Sequence, residues 1–373
     1  MRIGVDASRA FVPDRTGTEE YSWQIIKHIL ALPEARKHEW ILYVKPNFQF
    51  SIFNFQSIPN VQILKIQIPY LWTQVGLVWR TWVDRLDVLW IPAHTLPVLR
   101  KPGIKTIVTI HGIEYEWLPA YENALQRWYL PLSTQYAVLS AHKIIAVSEF
   151  TKRQLVERLG AEERKIEVVY EGVETNFQFS ITNFQSILKK FKLQSKKYLL
   201  FVGTIQPRKN LERLIEAFSV LSTQCSVLNL KLAIAGKWGW NYDGVKQAPV
   251  KFGVEDQVEF TGFVDEQEKK ILLQNCLVYV QPSITEGFGL PVLEAFAAGV
   301  PVVSSSGGAL GEITADSGQL FDPESAVDMA EKLKAVVRNG KLRRELVRKG
   351  RERIKKFSWS MAAEKTLKII DGL

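Results

Sequence analysis

The chain has 373 residues, which at about 100–200 residues per domain points to two domains. Hydrophobic residues make up 46% and charged residues 23%, values that exclude a largely disordered or collagen-like chain. Two cysteines, Cys225 and Cys276, exclude a disulfide scaffold, and a net charge of +9 favours an anionic partner: a nucleotide phosphate, a membrane surface or nucleic acid.

Short apolar runs rich in branched residues alternate with longer amphipathic segments, the pattern of βαβ units and parallel sheets. In the first half this predicts strands at Arg2–Ala7, Trp40–Val44, Val61–Ile66, Val88–Ile91, Lys105–Ile110, Lys143–Val147 and Ile166–Tyr170. Helices are predicted over Gly17–Ala31, Tyr121–Ser140 and Glu149–Leu159. A second series begins at Tyr198–Val202 and continues through Lys231–Ala235, Val258–Thr261, Val278–Gln281, Pro301–Ser304 and Gln319–Phe321. Its helices include Asn210–Leu221, Asp265–Asn275 and Leu290–Ala298, and the chain after Pro323 reads as helical. The break between the two series falls at 174–196. The expectation is an α/β protein with two Rossmann-like doubly wound domains, whose ligands sit outside the carboxyl ends of the strands. No apolar run reaches the ~20 residues of a membrane span, and the first strand begins at once. The expected protein is therefore cytosolic, without a signal peptide.

Two segments belong to neither series. Asn47–Ile58 and Asn176–Ile187 differ only at Phe53 against Thr182. They read as an inserted repeat placed between elements, where insertions are tolerated. Their uncharged alternation of Phe and Ile with Asn, Gln and Ser is β-prone, so short hairpins or strand extensions are expected.

The chemistry concentrates in four segments. Pro282–Gly299 follows an apolar strand with a glycine-containing turn and then a helix. Glycines at Gly287 and Gly289 allow close backbone approach to a ligand, and the helix start offers free N–H groups to a phosphate. Glu286 and Glu294, eight residues apart, suit the hydroxyls of a sugar or ribose; the plain alternative is a turn with two solvated glutamates. Val202–Asn210 closes one strand and opens a helix, bringing Arg208 and Lys209, both suitable phosphate ligands. Taken alone, it reads as a basic surface turn. Gly17 and Thr18 start the first helix without a full dinucleotide fingerprint. His111, at a strand end, suits a sugar hydroxyl or a proton transfer, or a purely structural hydrogen bond.

Taken together and in order, these segments resemble the retaining glycosyltransferases of family 4. The motif Glu286–Glu294 within TEGFGLPVLEAFAAGVPVV matches that family's paired-glutamate pattern. VGTIQPRKN (202–210), IAVSEFTKRQL (145–155), VVYEGVE (168–174) and FSW (357–359) match as well. LWIPAHTLP (89–97) with TIHGIEYE (109–116) is most similar to bacterial mannosyltransferase members.

The resemblance implies a GT-B fold: an acceptor-side domain over 1–175, a linker with the inserted repeat over 176–196, and a donor-binding domain over 197–357 across a cleft. The last helix, 358–373, would return to the first domain. It implies a hexosyltransferase, with mannose favoured, that uses a nucleotide-diphosphate sugar, GDP-mannose before a UDP-sugar, and a glycan or lipid-linked acceptor. No cofactor and no metal are expected, nucleic acid is not expected as a partner, and peripheral attachment to the inner face of the plasma membrane fits the acceptor class. Glu286 would contact the donor sugar and Glu294 the ribose. Arg208 and Lys209 would hold the diphosphate. Gly17, Thr18, Gly203, Gly287, Phe288, Gly289 and Leu290 would line the donor, with His111 beside the reacting carbon. The sequence departs from the family at Thr204, where many members carry Arg, and at Gly112, where many carry Asp. The rival readings are a GT-B nucleotide-sugar epimerase and a catalytically degenerate sugar-nucleotide-binding protein.

Eight of eleven tryptophans precede residue 130; some of them belong to the core, and a subset such as Trp72, Trp117 and Tyr121 suits an acceptor groove or a lipid contact, although for any single one a core position is the more ordinary reading. The run Arg338–Lys356, with ten Lys or Arg and two Glu, reads as a solvated helical face in the absence of any nucleic-acid motif.

Overall fold

The computed structural model describes residues 1–12, 15, 17–46, 58–68, 72–113, 124–174, 184–225 and 228–373. The chain divides into two compact units. One holds the described residues of Met1–Trp117 and Asn123–Gly172 together with Trp359–Leu373; the other holds those of Val173–Ser358.

The first unit is built on β1 (Arg2–Asp6), β2 (Glu39–Val44), β3 (Val61–Lys65), β4 (Val88–Ile91), β5 (Lys105–Ile110), β6 (Lys143–Ala146) and β7 (Ile166–Val168). They form one sheet in the order β3-β2-β1-β4-β5-β6-β7, and every pairing is parallel. Parallel strands covered on both faces read as continuous apolar runs, and VLWI of β4 is buried at every position. The C-terminal helix Trp359–Asp371 packs on the first helix, Thr18–Ala31. Trp359 is buried there, its ring 5.9 Å from that of Tyr21 and stacked on His28 at 6.4 Å.

The second unit carries β8 (Tyr198–Val202), β9 (Lys231–Ala235), β10 (Val258–Gly262), β11 (Val278–Gln281), β12 (Val302–Ser305) and β13 (Gln319–Phe321). Their order, β10-β9-β8-β11-β12-β13, is the doubly wound arrangement with its reversal between β8 and β11. All pairs are parallel. The core beneath it joins Phe201, Leu214, Phe218 and Ile234 to Leu333 and Val336. Helix Ala326–Arg338 meets helix Leu211–Gln224 along this layer.

The structure decides two readings. Phe184–Ile187, the tail of the second repeat, opens a helix, Phe184–Lys190, with Leu188 buried. A hairpin or strand extension is thus excluded there; the rest of that copy, and Asn47–Ser57, lie outside the described residues. Trp72 is buried against Leu77 and Ile66 in the first core, so it is not a surface contact. Trp117 and Tyr121 lie outside the described residues. Among the described residues, Trp79, 65% exposed, and Trp82, 54% exposed, reach further into solvent than Trp238 at 37%; both lie on a helix, Val78–Val83, that follows a π-turn at Trp72–Leu77. Cys225 and Cys276 are both free and buried.

Candidate active site

In the second unit, the loops after β8 and β11 meet at the sheet's reversal point. After β8 the chain makes a 3-10 turn, Pro207–Lys209, that ends on Asn210 in the left-handed conformation (φ 57°). Asparagine tolerates that region better than most residues. Its amide donates to the carbonyls of Pro282 (3.0 Å) and Pro323 (2.8 Å), locking the turn to two neighbouring loops. The turn therefore presents Arg208 and Lys209 in fixed positions.

Both cations close on Glu286. Lys209 Nζ donates to Oε1 at 2.6 Å, and Arg208 Nη1 donates to Oε2. Arg208 also donates to the carbonyl of Thr285 at 3.0 Å. Ser283 Oγ (2.6 Å) and Gln281 Nε2 (3.2 Å) donate to the same Oε1, and Tyr279 OH donates to Gln281 Oε1 at 2.5 Å. Glu286 is 8% exposed. Burial works against its charge, but Arg208 and Lys209 overcome it and hold the carboxyl at about 2. The result is a preorganised, nearly dry cluster of one carboxylate and two cations, the kind of environment that stabilises developing charge.

The loop is supported from below by a signal not singled out in the sequence, the glycine pair of SSSGG. A Cβ on Gly308, at φ +64°, would lie 2.4 Å from the Glu286 carbonyl oxygen. Only glycine fits. Ser305 Oγ donates to the Ser283 carbonyl at 2.5 Å. Gly289, at φ +123°, caps helix Leu290–Ala297, and a Cβ there would lie 2.8 Å from Leu310.

The expected lining residues differ in exposure. Gly287, Phe288 and Gly289 are buried, with the Phe288 ring edge-on to Phe357 at 6.0 Å, while Leu290 is half-buried. Gly203 lies beside the Lys209 stem: a Cβ there would be 3.8 Å from Lys209 Cε. Glu294 is not held by the same cations as Glu286. Its partner is Lys269, at 2.8 Å, which also bonds Glu266 at 2.8 Å. Burial opposes the lysine's charge, but Glu294 and Glu266 hold its pKa above the usual value. Lys269 had no assigned role in the sequence, since it lies on a different helix from Glu294. Both Glu294 and Glu286 act on Tyr279, whose hydroxyl burial and these two charges push far above the phenol range.

In the first unit, His111 follows β5. Its Nδ1 lies 3.0 Å from Glu171 Oε1 and its Nε2 3.1 Å from the Pro92 carbonyl. Tyr21 meets the ring edge-on at 4.5 Å. His94 Nε2 accepts the His111 backbone N–H at 3.4 Å. Burial, then the charges of His111 and Arg9, lower the His94 pKa to about 3, so that ring is neutral. Glu171, 4% exposed, was visible only as part of a matched segment; its partner is 60 residues away. Gly17 starts the first helix at φ +42°, where a Cβ would meet no atom of the described residues within 4 Å. Thr18 Oγ1 accepts from Arg9 Nη1 at 3.3 Å, which adds a cation beside the helix start. Among the described residues no three His, Cys, Asp or Glu side chains form a metal-binding group, and no helix is long and apolar enough to cross a membrane.

Two Rossmann-like parallel-sheet units, the second with its cations and carboxylate at the strand ends, have the GT-B architecture of glycosyltransferases. Residues 25–177 match the family described as Glycosyltransferase Family 4, and residues 183–353 match Glycosyl transferases group 1. The chain is 30% identical over 275 residues to an uncharacterized glycosyltransferase of Methanocaldococcus jannaschii, covering 73% of this chain and 70% of that one. It is 26% identical over 264 residues to O-antigen chain mannosyltransferase B of Escherichia coli, covering 70% and 69%. The structure of Anabaena HepE in complex with UDP and glucose superposes with a TM-score of 0.76 at 17% identity, covering 100% of this chain and 99% of that one. The chain belongs to the family 4 glycosyltransferases and is a glycosyltransferase similar to bacterial mannosyltransferases.

Proposed function

We propose that the protein is a retaining, metal-independent hexosyltransferase that moves mannose from GDP-mannose, in preference to a UDP-sugar, to a glycan or lipid-linked saccharide. The observation that carries the reading is the closure of Lys209 and Arg208 on buried Glu286 at the strand ends. Departure of a nucleoside diphosphate builds negative charge on its β-phosphate. Two fixed cations stabilise that charge without a metal. With a diphosphate bound, Arg208 and Lys209 serve the phosphate oxygens, and Glu286 turns toward the sugar while keeping Ser283 and Gln281. The bond from the sugar's anomeric carbon to the diphosphate breaks as the acceptor oxygen bonds the same face, and the acceptor proton passes to the departing phosphate. Glu294, steadied by Lys269, takes the ribose hydroxyls. Gly17 and Thr18 contribute to the diphosphate side and His111 to the sugar side. Mannose is favoured because the curated relatives include O-antigen mannosyltransferases.

Attachment to the inner face of the plasma membrane is part of the same reading. It is supported by the exposed Val75, Trp79, Trp82 and Val83 and by Val98 and Leu99 alongside; Lys101 N donates to Thr81 Oγ1 at 3.2 Å, tying that loop to the tryptophan helix. Tryptophan is enriched where protein meets a bilayer interface. The test is incubation with GDP-mannose, UDP-glucose and ADP-glucose with released nucleoside diphosphate as readout. Release from GDP-mannose above the others supports the reading; release from none contradicts it.

A further inference from the structure

Helix Gly340–Arg353 carries a second concentration of charge, at the other end of the second sheet. Arg344, Arg348 and Arg351, spaced i, i+4 and i+7, share one helical face and line a groove of about 420 Å³. Its floor is apolar, made by Leu277, Pro301 and Val347. Leu277 and Pro301 immediately precede β11 and β12, so the groove lies at the amino ends of strands whose carboxyl ends carry Glu286. Strands of four residues separate the two ends by roughly 13 Å at ~3.3 Å per residue. The groove is thus distinct from the proposed donor site.

The neighbouring charges are committed elsewhere. Lys349 pairs with Asp316 (3.3 Å) and Glu345 (3.6 Å), and Arg353 donates to the carbonyls of Ile313 and Glu312. Arg343 caps the carbonyls of Val336 and Val337. Lys196, at the groove wall, donates to the carbonyls of Gln274 (2.7 Å) and Cys276 (3.0 Å). Glu352, the acid at the groove, is engaged by Lys355 at 2.6 Å. Among the described residues, Arg344, Arg348 and Arg351 have neither a hydrogen-bond partner nor an ion pair. Like charges three and four residues apart disfavour a helix. An anion seated between them reverses that effect, and a guanidinium fork matches a phosphate bidentately. A space of this volume is that of a small-ligand site.

We propose that this groove is a binding site for a phosphate-bearing ligand, its phosphate held by Arg344, Arg348 and Arg351 and its carbon body lying on Leu277, Pro301 and Val347. A soluble phosphate ester and a phospholipid headgroup offer the same chemistry. The proposal is independent of the donor-site reading.

The test compares the full chain with its Arg344→Gln/Arg348→Gln/Arg351→Gln variant, folding being checked by thermal unfolding. One arm is calorimetric titration with sodium pyrophosphate. The other is flotation with phosphatidylcholine vesicles with and without phosphatidylglycerol. The expected result is loss of one pyrophosphate equivalent, or a fall of about tenfold or more in binding to the phosphatidylglycerol vesicles. Loss in the first arm assigns a soluble phosphate and loss in the second a headgroup. Lys209→Ala serves as control and should retain the equivalent that the triple variant loses. If the folded triple variant matches the wild type in both arms, or if the equivalent bound disappears only in Lys209→Ala, the proposal is overturned.

Discussion

Lys209 Nζ donates to Glu286 Oε1 across 2.6 Å, joining the turn after β8 to the loop after β11 at the reversal point of the second sheet. Arg208 completes the clamp on the other carboxylate oxygen. The pair makes the cation both a structural tie and the proposed stabiliser of the leaving group. Lys209→Ala should therefore lower kcat by about 10²-fold, the usual effect of removing one charge-stabilising donor. Steady-state kinetics on a variant with a native circular dichroism spectrum checks this; unchanged turnover would remove Lys209 from the mechanism.

The low pKa of Glu286 has a consequence for stability. Its carboxyl is held at about 2 in the fold against an ordinary value of 4.5. A depressed native pKa contributes stability above the unfolded value that is lost as pH falls through the native one. The contribution, about 3 kcal/mol by linkage, should be complete at pH 6 and drain away between about pH 5 and 2. Urea unfolding of wild type and Glu286→Gln across that range gives the readout. The gap between them should shrink toward low pH, and a constant gap would refute the assignment.

Glu171 holds His111 from within the first unit. Glu171→Ala leaves a buried ring nitrogen without its acceptor, which costs about 1–3 kcal/mol. Glu171→Gln keeps an acceptor oxygen and should recover most of that loss. Thermal unfolding that adds Glu171→Met, of similar volume but without an acceptor oxygen, distinguishes this from simple cavity formation, in which Met would recover the loss as well as Gln.

The exposed pair Trp79 and Trp82 gives a further test. Trp79→Ala with Trp82→Ala should reduce flotation with phosphatidylglycerol vesicles while nucleotide release from a soluble donor stays within about twofold, because neither residue lies in a unit-two loop that contacts the cations. Undiminished flotation would detach this surface from the membrane.

The sheets were readable because parallel strands buried on both faces leave continuous runs such as YLLFV and VLWI; each strand lies within two residues of its expected end. Helix Val78–Val83 was not readable, since it follows a π-turn and turns Trp79 and Trp82 to solvent, which breaks the amphipathic pattern. Helix Asp243–Lys251 contains Pro249, a residue that argues against a helix interior. The site followed a similar division. Arg208, Lys209 and Glu286 stood out because strand-end loops advertise themselves by glycine and charge. Glu171 and Lys269 did not, because their partners, His111 and Glu294, are distant in sequence and only the fold joins them. The repeat remains a sequence matter for Phe48–Gln56. Its replacement by a short Gly/Ser linker should leave transfer within about twofold, as it carries no charge and falls outside every matched motif.

The most direct test of the account is the stereochemistry of the sugar released or transferred by the wild type. Proton NMR is recorded on α-configured GDP-mannose with the enzyme and a chelator, before the product can mutarotate. The account predicts that the first-formed product is the α anomer and that Lys209→Ala slows its appearance by about 10²-fold. A β first product, or no release of nucleotide in the chelated wild type, would contradict retention by the Arg208–Lys209–Glu286 cluster.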